Sequence, residues 1–196
     1  MTQPHHSPNY HPVNPHHSHT LNDERSGTPL TLPSDFNPTT ALMQKVTEFG
    51  TFHESRRGAR LAAELVANGH PDDLQLAEKV LDAVLACQET NERDPHHGNF
   101  YWMREDTFVE DLNAVEFNLE ALIPMMIHHG DRLAPAYQER VDQAIRLGLH
   151  EIARLDVLVA YTNITVLDIL NSCLGGEYLG DQAIAQRGYD KLVAWM

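Results

Sequence analysis

From about Leu42 to Met196 the apolar residues recur at three- and four-residue spacing, and no convincing run of alternating β-branched residues interrupts them. This periodicity restricts the chain to an all-α body. The expected segments run from about Thr40 to Phe49, from Glu54 to Val66 with Asn68-Gly69 as a C-terminal signal, and onward from Pro71 with Leu76, Val80, Leu81, Val84 and Leu85 on one stripe. A polar loop spans about Asn91 to Asp106. Thr107 and Glu110 have the spacing of a capping box, which predicts a helix from there to about His128, with Pro124 kinking or splitting it near Glu120 to Ile123. Gly130-Asp131 breaks the chain, and Pro135 suits the first turn of a helix reaching about Leu155. The last two helices begin after Tyr161-Thr162-Asn163 and at Asp181, separated by a stop at Gly175-Gly176.

These helices are of two kinds. The one with Leu112, Val115, Leu119, Leu122, Ile123 and Met126 also carries Ala114, Phe117, Ala121 and Met125 on its other sides, so it is expected to be buried almost all round, as is the one with Val166, Leu167, Ile169, Leu170, Cys173 and Leu174. The segment with Val141, Ile145, Gly148 and Ile152 has charged residues on its remaining faces and reads as an outer helix. Buried and amphipathic helices alternate with a period of roughly 50 residues, the mark of helical-hairpin repeats. The expected fold is therefore all-α, with helical hairpins arranged as a partial (α/α) toroid over residues 36–196. About three hairpins are present, half of a closed ring of six. An open half-ring exposes the apolar flank of its last inner helix, so we expect either an incomplete chain or a homo-oligomer joined through that flank.

Residues 1–35 hold Pro4, Pro8, Pro12, Pro15, Pro29 and Pro33 and little apolar periodicity, the composition of a disordered tail. His5, His6, His11, His16, His17 and His19 give it a weak capacity for transition metals without fixing a geometry, and no metal site is expected. A net charge of -14, with only Lys45, Lys79 and Lys191 as lysines, excludes a nucleic-acid backbone as partner. Cys87 and Cys173 are isolated within helical patterns and read as small buried hydrophobes. No stretch reaches the roughly 18 apolar residues of a membrane span, and no signal peptide precedes the body, so a cytoplasmic protein without a membrane partner is expected.

Two connectors are unusual. Gly98-Asn99-Phe100-Tyr101-Trp102-Met103-Arg104-Glu105-Asp106 and Tyr161-Thr162-Asn163 each precede a buried helix, and they carry aromatics, amides and an arginine where small turn residues are customary. At equivalent helix starts they would rim one groove. Both segments resemble the inner-helix entries of α/α-toroid polysaccharide lyases of the chondroitin and hyaluronan type, over about Gly98 to Met196. The resemblance implies that Asn163 contacts a uronate carboxylate and that Trp102 and Tyr101 stack on sugar rings. The family's later His and Tyr-Arg elements have no counterpart before Met196.

β-Elimination needs the carboxylate neutralised and a base to take the C5 proton, and the ionisable residues near Asn163 in that scheme are Tyr161 and His97. Asn99, Arg104, Asn113 and Glu116 complete the candidate substrate contacts, for an acidic oligosaccharide or polysaccharide and with no cofactor. Other readings remain open for each. Asn163 is equally an N-cap, Trp102 and Tyr101 equally loop packing, and Arg104 with Asp106 a surface ion pair. A glycoside hydrolase would instead draw two carboxylates from Asp106, Asp111, Glu116 and Asp168. The stripe Asn113, Glu116, Glu120 on a greasy helix needs either a function or a hydrogen-bonding neighbour. A third reading is a non-catalytic helical-repeat module that binds another protein. His96-His97 and His128-His129 are adjacent pairs that do not share a helix face, and there is no HExxH or CxxC.

Overall fold

A computed structural model describes residues 27–196. The histidine-rich segment from His5 to His19, with its weak capacity for metals, lies outside the described residues. Six α-helices carry the body: α1 (Ser55–Asn68), α2 (Pro71–Leu85), α3 (Ala114–His129), α4 (Pro135–Leu155), α5 (Thr162–Leu179) and α6 (Gln182–Trp195). A small antiparallel sheet precedes them, ordered β1-β2-β3, from β1 (Phe36–Asn37), β2 (Leu42–Thr47) and β3 (Gly50–Glu54).

That sheet corrects the expected helix over Thr40–Phe49. Leu42 and Met43 are fully buried, whereas Val46 and Phe49 are exposed at 72% and 84%. A helical stripe would have placed Val46 one turn after Leu42 on the same buried face. The two-residue turn between Thr47 and Gly50 instead pairs Met43 with Glu54 and Lys45 with Phe52. Gly50, at φ 144, supplies a backbone shape that L side chains rarely adopt. Ahead of the sheet, Leu30 and Leu32 pack on the core, and the Leu30 N–H donates to the buried Asp73 carboxylate.

The helices form two rows. α3 packs between α1 and α5, while α2, α4 and α6 each lie against an odd-numbered neighbour. Arg60 Nη2 meets Glu120 Oε1 at 2.7 Å, and Arg132 donates to the Val66 carbonyl, so α1 and α3 run in the same direction. Asn113 Nδ2 lies 3.4 Å from the Tyr161 hydroxyl, which brings the starts of α3 and α5 together as well. The starts of α1, α3 and α5 thus share one end of the molecule.

Helix boundaries depart from the expected ones for identifiable reasons. Thr107 and Glu110 do not cap α3, which begins at Ala114. The cap comes from the connector: Asn99 Oδ1 accepts the Val115 N–H at 3.2 Å from 16 positions upstream. Pro124 does not split α3, which runs unbroken to His129. Gly175-Gly176 does not end α5. A Cβ at Gly175 would lie 2.8 Å from Leu149 Cδ1, and one at Gly176 would lie 2.4 Å from the Ala185 backbone nitrogen. These two glycines let α4 and α6 approach, and α5 ends at Gly180 with φ 68.

Cys87 is buried and Cys173 half-buried, both free thiols, and burial pushes the Cys87 thiol up to about 12. Among the described residues, no helix is long and apolar enough to cross a membrane.

Candidate functional site

The connector 86–113 is pinned along its length. Gln88 Nε2 donates to the Gly98 and Ala144 carbonyls, each at 2.9 Å. Gly98 has φ 99, and a Cβ there would stand 2.4 Å from the Leu147 carbonyl oxygen, so only glycine fits. Asn99 is fully buried: Oδ1 accepts from Phe100 N and Val115 N, and Nδ2 donates to the Leu112 carbonyl and to Glu151 Oε1. Both ends of this amide serve the protein itself. The carboxylate of Glu151, buried on α4, is closed by Arg154 at 2.7 and 2.8 Å and approached by His96 Nδ1 at 3.4 Å. His96 rather than His97 enters this network; the His97 backbone N–H closes a turn on Asp94.

The other end of the connector is fastened to β3 and α1. Ser55 Oγ donates to the Tyr101 carbonyl at 2.6 Å and its N–H to the Trp102 carbonyl at 3.0 Å. His53 is held between two partners. Its Nδ1 sits 2.7 Å from Glu105 Oε1 and its Nε2 3.2 Å from Asn37 Nδ2, an amide donor. The proton therefore belongs on Nδ1, donated to Glu105. Hydrogen bonds from His53 hold the Glu105 carboxyl below its ordinary value against the opposing effect of burial.

What the scaffold leaves accessible is a small aromatic and cationic face. Trp102 and Phe117 approach with ring centroids 5.4 Å apart, and the Arg56 guanidinium lies 5.3 Å from the first and 5.1 Å from the second. Arg56 forms no ion pair among the described residues. Tyr161 is 48% exposed beside Asn113, whose amide also reaches Asp111 at 2.9 Å. Asn163 is exposed inside the first turn of α5; Tyr161, without a side-chain cap, occupies the N-cap position. The capping alternative for Asn163 is thus not realised, and its amide has no partner among the described residues.

Arg104 is exposed and its expected pair with Asp106 is not formed; Asp106 Oδ2 accepts the Met103 N–H at 2.9 Å. Tyr101 is half-buried, with its hydroxyl donated to Glu89; burial and that carboxylate push it up to about 12. The end shared by α1, α3 and α5 therefore brings together Trp102, Asn113 and Tyr161, with Asn163 on the adjoining turn. Asn99 sits beneath as a structural clip. Sequence reading missed Arg56, Phe117 and His53. Arg56 carries no local signal in sequence, since its meaning comes from the two rings folded against it.

The acids divide sharply. Asp168 is fully buried but saturated, with Arg187 Nη1 at 2.5 Å, Lys191 Nζ at 2.6 Å and Ser172 Oγ at 3.1 Å. Glu116 is equally buried, yet neither carboxylate oxygen has a hydrogen-bond partner. Burial, with Asp168 as the strongest unfavourable charge, pushes its carboxyl up to about 8. It is a neutral acid at pH 7. The expected polar stripe is thus resolved unequally: Glu120 pairs with Arg60, Asn113 with Tyr161 and Asp111, and the Glu116 side chain with nothing.

No group of three or more metal-ligating side chains occurs among the described residues. No family model, curated protein or solved structure matches the chain.

Proposed function

We propose that the end of the molecule where α1, α3 and α5 begin binds an acidic oligosaccharide or polysaccharide. The observation that carries this reading is the Arg56 guanidinium laid over Trp102 and Phe117 without an ion-pair partner among the described residues. Partly exposed aromatic faces suit the apolar faces of sugar rings, and a guanidinium without a carboxylate of its own suits a uronate. Asn113, Tyr161 and Asn163 add amides and a hydroxyl within the neighbouring turn. This reading takes the helices as a partial (α/α) toroid, with α1, α3 and α5 as inner helices, α2, α4 and α6 as outer helices, and the groove across the inner-helix starts.

Lyase-like chemistry accords with this better than hydrolysis does. Among the described residues Asp106 and Asp111 are engaged in local turns, Asp168 is closed by cations and Glu116 is fully buried, so an accessible pair of carboxylates is wanting. In the lyase scheme Asn163 contacts the uronate carboxylate while Tyr161 or His97 takes the C5 proton. Turnover would appear as ultraviolet absorbance of an unsaturated uronate.

Binding is the direct test. Titration of uronate oligosaccharides should show Trp102→Ala and Asn163→Ala each weakening affinity by about tenfold or more, the scale of one lost stacking or charged hydrogen-bond contact. Circular dichroism should remain unchanged. Wild-type affinity in both variants would sink the reading.

A second reading rests on a different surface. Val166 and Leu170, one turn apart on α5, are exposed at 41% and 39%, an apolar stripe on the flank of the last inner helix. This suits a helical-repeat module that pairs with another protein or with its own copy.

A further inference from the structure

The segment joining α4 to α5 closes over a depression of about 410 Å³, lined by Asp156, Val157, Leu158, Val159, Arg187, Asp190 and Lys191. Its floor is a pair of cations. Arg187 binds the buried Asp168 carboxylate with both Nη atoms, at 2.5 and 3.0 Å, and Lys191 Nζ reaches the same carboxylate at 2.6 Å. The Lys191 side chain is only 8% exposed and that of Asp168 is fully buried. Two positive charges on one buried carboxylate leave an excess of one, held where water screens poorly, so a second anion is required beside them.

In this structure that anion is Asp156. Its Oδ1 accepts from Arg187 at 2.8 Å and from Lys191 at 3.0 Å, and Lys191 above all keeps its carboxyl ionised below the ordinary range. Yet Asp156 is poorly secured. Its side chain is 70% exposed, and its backbone at φ 41 is left-handed, a region that L residues visit at a cost. An ion pair this exposed is weak, whereas the Asp168 contacts beneath it are buried and hard to break. Asp190, the remaining acid of the lining, is engaged with Gln186 Nε2 at 2.9 Å.

We propose that this depression is a binding site for an organic carboxylate, which takes the place of the Asp156 side chain on Arg187 and Lys191. Val157, Leu158 and Val159 line the wall beside the cations, so the ligand carries apolar substance next to its charge. Asp156 acts as a tethered stand-in that keeps the cations neutralised when the site is empty. The inference does not rest on the oligosaccharide reading, because Trp102 and Arg56 take no part in it.

The test is a gain of binding. Asp156→Asn removes the competing charge while keeping a residue that tolerates the left-handed backbone. Calorimetric titration of the full chain with butyrate, at ionic strength fixed by chloride, should give about tenfold tighter binding in Asp156→Asn than in wild type. Adding Lys191→Gln to that variant should erase the gain. Equal affinity in wild type and Asp156→Asn, or no binding by a folded Asp156→Asn chain, overturns the proposal. A uronic-acid disaccharide run in parallel identifies the source of the carboxylate: an equal gain for both probes assigns a free small acid, and a larger gain for the disaccharide than for butyrate a saccharide. Trp102→Ala should leave butyrate binding unchanged, which separates failure here from failure of the groove reading.

Discussion

Glu116 is the residue at which burial and charge conflict most openly. Its carboxyl is neutral in the folded state up to about pH 8, whereas in an unfolded chain it ionises near its ordinary value of 4.5. Below about pH 4.5 both states hold the proton and the group contributes no pH dependence. Between there and about pH 8 the unfolded state gains by releasing its proton, so stability falls as pH rises. The predicted wild-type loss over this window is about 4 kcal/mol. Glu116→Gln should flatten that slope in denaturant titrations at pH 4.5 and pH 8, and equal slopes in the two proteins would refute the assignment. Asn99 and Glu116 also show how far single residues were legible. An asparagine before a buried helix announced an unusual connector, but whether it faced ligand or protein depended on Leu112, Val115 and Glu151, residues 13 to 52 positions away.

At the scale of elements, the amphipathic and all-round apolar patterns located all six helix bodies, because their packing is periodic along the chain. The hairpin over Leu42–Glu54 escaped, since Leu42, Met43 and Val46 satisfy a helical spacing on paper and only cross-strand pairing distinguishes the two. The start of α3 escaped for a related reason: a distant side chain supplies its cap. The connector that delivers that cap depends on Gly98. Gly98→Ala would meet both the left-handed backbone and the Leu147 carbonyl, and we expect a loss of about 3 kcal/mol in chemical denaturation. Gly27→Ala, with nothing within 4 Å of the added carbon, is the control expected to be silent.

For the whole molecule, the alternation of helix types anticipated odd-numbered helices packed on one another with even-numbered ones beside them, while the partial ring expected from it depends on how neighbouring helices cross, which apolar spacing does not encode. The flank of α5 gives this scale its test. If Val166 and Leu170 join two copies, light scattering should report a dimer whose affinity rises with salt as the mutual repulsion of a -14 chain is screened. Val166→Glu should return a monomer at every salt concentration, and a wild-type monomer throughout would remove the pairing.

The nearest-neighbour packing of the helices also has a temporal consequence. Each helix touches chiefly those one or two places along the chain, so a nucleus at any hairpin can extend outward in small closures. The connector 86–113 is the exception, reaching back to Ser55 and forward to Glu151. It can settle only after α1 and α4 are both in place, so its backbone amides should be among the last to gain hydrogen-exchange protection during refolding, and the face of Trp102, Phe117 and Arg56 that it carries the last surface to mature.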